Sequence, residues 1–240
     1  MSMVKGGKQV SKVKVISLGG SIIAPDVVDF EFLNNFRRTI EAYLAEDEDR
    51  RLILVCGGGG PAREYQKAYR RIMVEPAAEA QDWIGIAATR LNGELVRQLF
   101  AHHCPERVVT DPTALTLFPG RVMIAAGWKP GFSTDYDAVL LAKKFQADTV
   151  INLSNIAQVF TADPKSDPKA KALENLTWDQ FRKLVGHTWT PGKKVPFDPI
   201  ATGLAAGSGL RVIVAAGRDL ENLKKLLADE DFIGTTIGPE

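Results

Sequence analysis

The apolar residues of this chain fall into short continuous runs that alternate with longer stretches of helical spacing. Val13-Lys14-Val15-Ile16, inside a segment running from Lys12 to Leu18, and Arg51-Leu52-Ile53-Leu54-Val55-Cys56 read as strands. The second run is apolar almost throughout, the pattern of a parallel strand covered on both faces. Between them Phe32, Phe36, Ile40, Tyr43 and Leu44 recur at helical intervals, so residues 30–47 read as a helix that ends in a solvated acidic run, Glu46-Asp47-Glu48-Asp49. Further strands are expected at 107–110, 121–126, 149–153 and 210–214, with an edge segment at 234–237. Further helices are expected at 65–74, 84–103, 135–146, 178–185, 200–208 and 220–228. This alternation predicts an α/β fold: a three-layer α/β/α sandwich with a mainly parallel central sheet, whose ligands lie at the carboxyl ends of the strands.

Three of the expected strands run into glycine: Gly19-Gly20-Ser21, Gly57-Gly58-Gly59-Gly60 and Gly127-Trp128-Lys129-Pro130-Gly131. Four consecutive glycines are entropically costly, which points to a backbone that must approach something closely. A glycine turn entering a helix presents unpaired N–H groups and the positive end of the helix dipole, a setting for a phosphate or carboxylate, and Arg63 adds a bidentate clamp. The competing reading is a tight strand-to-helix connection in which the glycines serve packing alone. In a parallel sheet these turns converge on one edge together with the Asn155 loop, which suggests two phosphate-bearing ligands. Neither G-x-x-x-x-G-K-[ST] nor a G-x-G-x-x-G opening the first helix occurs; Gly186 and Gly192-Lys193-Lys194 have five residues between the glycines.

Phosphoryl transfer between two bound phosphates asks for positioning, a magnesium ion and cations that offset developing charge. Lys129, Lys165, Lys193 and Lys194 lie in loops where such cations work, although each is also readable as a solvated surface lysine. Asp82, Asp135, Asp163 and Asp198 fall at loop ends or helix starts, where capping and ligand contact are both open readings.

Composition narrows the classes. With 240 residues, 45% hydrophobic and 25% charged, the chain is expected to form one globular domain over residues 12–240, preceded by a flexible segment, 1–11. Thirty basic against twenty-nine acidic residues argue against broad binding to nucleic acid or an anionic membrane. No apolar run is long enough to span a bilayer and the start lacks the core of a signal peptide, so the expected compartment is the cytoplasm. Cys56, Cys104 and three scattered histidines make neither a disulfide framework nor a zinc set, and no structural metal site is expected.

From Val13 to Ile237 the chain resembles the amino acid kinase superfamily, and within it the uridylate (UMP) kinases of the archaeal type. LGGS at 18–21 is similar to the family's first glycine turn, which faces the phosphates in transfer, and GGGGPAR at 57–63 to its acceptor loop. DWIGIAATRLNG at 82–93 resembles the helix whose leading aspartate holds the acceptor nucleoside, and GWKPGFSTD at 127–135 the segment that closes over the acceptor phosphate. VFTADPKSDPKAK at 159–171 is similar to the stretch under the ATP base and phosphates, and is followed by FDPIATGLA at 197–205 and GTTI at 234–237. The TADPKxDP string is the specific part; glycine turns alone would not distinguish the family.

The resemblance implies that Gly58, Gly59, Arg63, Asp82, Gly127 and Thr134 hold UMP and that Asn155, Phe160, Asp163 and Lys165 line the ATP side. Gly19, Gly20 and Ser21, with Lys129, Lys193 and Lys194, would serve the transferring group. It further implies Mg2+ and ATP as cofactors, an acceptor lobe at 12–147, an ATP-binding lobe at 148–240, and hexamers built from dimers through the helix after the first glycine turn and the 82–100 helix. The sequence also departs from the family. Ser17 stands where many members have a lysine, Asn155-Ile156-Ala157-Gln158-Val159-Phe160 lacks the usual aspartate and glycine, and Trp128 replaces a small polar residue. Lys193-Lys194 stand where the nearest members have small polar residues, and one of them, or Lys129, is expected to supply the charge missing at 17. Two other readings remain open here: a kinase of this fold with another small phosphate or carboxylate as acceptor, and a non-catalytic nucleotide-binding or storage homologue.

Overall fold

The computed structural model describes residues 13–114, 117–164, 166–186 and 195–239. β1 (Val13–Leu18) is followed by the single turn α1 (Gly20–Ile23), α2 (Phe30–Ala45), β2 (Arg51–Cys56), α3 (Gly59–Ile72) and α4 (Ala78–Leu99). β3 (Val122–Ala125), α5 (Thr134–Lys144) and β4 (Thr149–Ser154) come next, then the hairpin β5 (Val159–Phe160) and β6 (Ala172–Leu173). The chain continues with β7 (Asn175–Thr177), α6 (Trp178–Val185), α7 (Pro199–Gly207), β8 (Arg211–Ala216), α8 (Leu220–Leu227) and β9 (Thr235–Gly238).

Seven of the strands form one sheet in the order β3-β2-β1-β4-β8-β9-β7. Every pairing is parallel except β8 with β9, so the expected α/β sandwich is the one observed. Alternation along the strands sends side chains to two separate cores. Ile16, Leu18, Leu52, Leu54 and Cys56 pack with Phe32, Phe36 and Ile40 of α2 and Leu223 and Leu226 of α8. Val15, Ile53, Val55, Val212 and Val214 pack on the other face with Val139 and Leu141 of α5, Phe181 of α6 and Ala201 and Ala205 of α7. Two covered faces explain why these strands are apolar at nearly every position.

The expected strand at 107–110 does not form. Val109 makes one parallel bridge to Ala125 at the β3 edge, and Pro105 and Pro112 bracket the segment too closely for a longer ladder. α3 starts at Gly59, earlier than the expected 65, because the glycine run bends directly into the helix. It lies outside both cores: Gly60 is its only buried residue, and the helix packs on α4.

Candidate active site

The first two glycine turns interlock. The Gly57 N–H donates to the Leu18 carbonyl at 3.0 Å and the Gly60 N–H to the Ala24 carbonyl at 2.8 Å, while Gly19 N–H donates to Leu153 at the end of β4. A Cβ on Gly20 would fall within 2.5 Å of the Gly57 carbonyl carbon and of the Gly58 nitrogen, and nearer still to the Gly59 nitrogen. Gly59 has φ +64°, and a Cβ there would strike the Gly20 and Ala24 carbonyls; one on Gly60 would strike the Pro25 carbonyl. Three of the four glycines thus serve backbone-to-backbone packing against the first turn. Gly58 faces the other way, toward Ala62 and α4. Asn92, buried on α4, donates to the Gly57 and Gly58 carbonyls at 2.8 and 3.2 Å. Arg63 bridges back across the junction, donating to Ser21 Oγ at 2.9 Å and the Pro25 carbonyl at 2.6 Å.

At the carboxyl ends of β2 and β3 a cavity of about 240 Å³ opens, lined among others by Gly58, Asp82, Gly127, Phe132, Thr134 and Asp198. Four of the six positions expected to hold the acceptor therefore share it. Gly59 and Arg63 do not line it. Asp82 is not a helix cap, because α4 begins at Ala78; its Oδ2 accepts the Gly131 N–H at 2.9 Å and ties the 127–135 segment to α4. Ser133, rather than Asp135, caps α5, accepting the Tyr136 N–H. Lys129 holds its ammonium 3.9 Å from the Trp128 ring centroid and 5.2 Å from that of Phe132, a cation–π stack beside the cavity.

Ser17 is 2% exposed and faces inward at the end of β1. Its hydroxyl donates to Asp135 Oδ1 at 2.9 Å, and Asp135 Oδ2 accepts the Asp198 N–H at 3.3 Å. Asp198 in turn caps α7 through the Ala201 N–H. One carboxylate thereby joins β1, α5 and α7. Burial pushes the Asp135 carboxyl up to about 6, against the opposing pull of the Ser17 hydrogen bond. This network was not expected from the sequence, nor were three residues of α4: Thr89, which accepts the Gly127 N–H, Arg90, which donates to the Gly127 and Trp128 carbonyls, and Asn92. The polar residues interrupting the apolar spacing of 82–93 are the signal that could have marked the last three.

Asn155 lies on the exposed turn after β4, Phe160 in β5 pairs with Ala172 of β6, and the Asp163 carbonyl accepts the Ser166 and Asp167 N–H groups. None of these three lines the 240 Å³ cavity. Lys165, Lys193 and Lys194 lie outside the described residues. A second concavity, of about 570 Å³, lies at the start of β9 and is lined by none of the expected ATP residues among those described; Glu174, Glu230 and Asp231 line it, a setting that repels phosphate.

Residues 12–216 match the model of the amino acid kinase family. The uridylate kinase of Thermoplasma volcanium is 33% identical over 225 residues, 93% of this chain and 96% of that protein. The uridylate kinase of Archaeoglobus fulgidus is 34% identical over 228 residues, 93% of this chain and 98% of that protein. The crystal structure of uridylate kinase from Archaeoglobus fulgidus superposes with a TM-score of 0.78, covering 94% of this chain and 99% of that one. UMP kinase from Bacillus anthracis, at 20% identity, shares the fold with a TM-score of 0.76 over 97% and 98% of the two chains. With its sheet order, its interlocked glycine turns and these relatives, the chain belongs to the amino acid kinase family.

Proposed function

We propose that this protein transfers the γ-phosphoryl group of ATP to the phosphate of UMP, giving UDP and ADP. The observation that carries the reading is the convergence of Gly58, Asp82, Gly127 and Thr134 on one cavity at the carboxyl edge of the parallel sheet. These are positions that the family resemblance assigns to the acceptor. Relatives at about a third identity over nearly the whole chain, named as uridylate kinases, support the same acceptor.

In the proposed reaction an oxygen of the UMP phosphate attacks the γ-phosphorus as the bond to the β–γ bridging oxygen breaks, and ADP leaves with that oxygen. The attacking group is already ionised at neutral pH, so the protein supplies position and charge rather than a base. Gly58 and Gly59, entering α3, present N–H groups to the acceptor phosphate, and Arg63 adds charge once it turns from Ser21 and Pro25. Gly19, Gly20 and Ser21 lie between the two halves, where the phosphoryl group passes. Asn155, Phe160, Asp163 and Lys165 form the ATP side, with 12–147 as acceptor lobe and 148–240 as ATP lobe. Lys129, Lys193 and Lys194 remain the candidates for the charge that Ser17 does not carry.

Among the described residues no three His, Cys, Asp or Glu side chains converge to cage a cation, so Mg2+ would come in on the ATP phosphates, as its octahedral, water-retaining chemistry favours. Bound there, it would supply positive charge to offset that of the phosphates in transfer.

We also infer a homo-oligomer, with a hexamer as the expected state. α2 spends its apolar face on the core, whereas Tyr65 and Ile72, seven residues apart on α3, are 71% and 77% exposed, and Val74 just beyond is 97% exposed. Among the described residues no helix is long and apolar enough to cross a membrane, and the cytoplasm is the proposed compartment.

The test is a coupled ADP-release assay with Mg-ATP and a panel of UMP, CMP, AMP, GMP, dUMP and small carboxylates. Selective turnover of UMP is expected. Preference for another acceptor, or ATP binding without turnover of any, would overturn the reading.

A further inference from the structure

Asp137 is 0% exposed and takes no part in the transfer described above. It sits in the first turn of α5, two residues beyond Asp135 and therefore on another side of the helix. Its Oδ2 accepts the Trp128 N–H at 3.2 Å, and its Oδ1 is buried with no hydrogen-bond partner among the described residues. From the opposite side Arg90 of α4 donates through Nε to the Gly127 carbonyl at 3.2 Å and through Nη2 to the Trp128 carbonyl at 2.9 Å. Thr89 Oγ1 accepts the Gly127 N–H at 2.8 Å.

The Gly127 carbonyl and the Trp128 N–H belong to one peptide unit. Its negative end faces a guanidinium and its positive end faces a carboxylate, so the two charges bracket the peptide dipole. Turning that peptide over would reverse both contacts. An asparagine at 137 could accept the same N–H without burying a charge, so hydrogen bonding alone does not explain a carboxylate here. The bracketed peptide begins the segment whose Gly127, Gly131, Phe132, Ser133 and Thr134 line the acceptor cavity.

We propose that Asp137 is a positioning residue that, with Arg90, locks the Gly127–Trp128 peptide in one orientation and thereby sets the wall of the acceptor cavity. The assignment of that cavity rests on the function proposed above. The groups around Asp137 are Asp135 on its own helix, Arg90 on α4 and Asp111 on the loop after Val109; Arg90 favours the ionised form and the two aspartates oppose it. Burial is the largest influence and pushes the carboxyl up to about 7. The lock is therefore strongest above that pH and loses its charge below it.

The experiment compares wild type with Asp137→Asn. With UMP as acceptor, the ratio of mutant to wild-type KM for UMP is expected to be about tenfold at pH 8, the margin by which a hydrogen bond to a charged group exceeds one to a neutral group, falling to within about twofold at pH 5.5. Taking the ratio cancels the titration of UMP itself. The values of kcat and of KM for ATP should change by no more than about threefold, since binding rather than transfer is affected. A ratio that does not vary with pH, or a joint change in kcat and both KM values, would overturn the proposal. Hydrogen exchange of peptides covering 126–134 gives a readout that needs no acceptor: in Asp137→Asn it should accelerate there about tenfold at pH 8 while β1 and β2 keep wild-type protection. Unchanged exchange would overturn the lock. Faster exchange with no turnover of UMP by the wild type would keep the lock and reject the acceptor assignment.

Discussion

Replacing Gly20 by alanine adds one methyl group at the point where the two glycine turns meet, and every atom in its way is backbone. The Gly57 carbonyl carbon and the Gly58 nitrogen lie 2.5 Å from the ideal Cβ position, with the Gly59 nitrogen closer. A crowded side chain could swing aside, but here β1, β2 or the start of α3 must shift. Overpacking costs typically about 1–3 kcal/mol, and a purely backbone obstacle places Gly20→Ala at the upper end, about 3 kcal/mol. For a chain of this length that lowers Tm by about 6–12 °C. Gly203→Ala is the matched control. It lies in α7, exposed, with no atom of the described residues outside its own helix turn within 4 Å of its ideal Cβ, so the same added methyl should stabilise by about 1 kcal/mol and raise Tm by about 2–4 °C. Urea and thermal unfolding of both variants measure the contrast. A Gly20→Ala protein that melts within about 2 °C of wild type would refute the account of the interlocked turns.

Ser17→Ala removes a donor to Asp135, whose carboxyl burial already pushes up to about 6. Because the raised value means that ionisation costs the folded state, stability falls as pH rises from the unfolded value near 3.8 through about 6, and losing Ser17 steepens that fall. The variant should match wild type to within about 0.5 kcal/mol at pH 4.5 and trail it by about 1.5–3 kcal/mol at pH 8; urea melts at the two values check this, and a difference independent of pH would contradict it. Asp82→Ala frees the Gly131 N–H at an exposed rim, so its stability should change by less than about 1 kcal/mol while KM for the acceptor rises tenfold or more, with KM for ATP unaffected; steady-state kinetics with each substrate varied separate the two.

The strands were legible because two covered faces force an apolar residue at nearly every position, a pattern that needs no tertiary knowledge. Strands of two or three residues, β5, β6 and β7, carry no such pattern and were missed. The segment 107–110 had the composition of a strand, yet only Val109 pairs with the edge strand β3, because Pro105 and Pro112 bracket it. In the site, the glycine turns announced themselves, but their purpose did not: the sequence left open whether Gly57–Gly60 meet a ligand or another backbone, and the neighbouring turn explains why three of them carry no side chain, a role separate from any N–H contact to a ligand. Asp135 is legible as a helix start. Its partners Ser17 and Asp198 stand 118 and 63 residues away, a relation that periodicity and motif spacing do not encode. Asp137 carried a local signal, a carboxylate beside the apolar run Ala138-Val139-Leu140-Leu141, whose meaning depends on Trp128 and Arg90.

The position of β1 in the sheet bears on how the chain is made. β1, β2 and β3 are neighbours in space and all emerge from the ribosome before residue 126, so one half of the sheet and the glycine junction can assemble during synthesis. The other side of β1 has no partner until β4, at 149–154, has been translated. For that interval a strand buried on both faces in the finished protein presents an open hydrogen-bonding edge, the kind of surface that pairs with stray strands and that chaperones shield. Slow translation between 126 and 149 would lengthen this exposure, and faster passage through it would shorten the interval in which nascent chains can pair with one another.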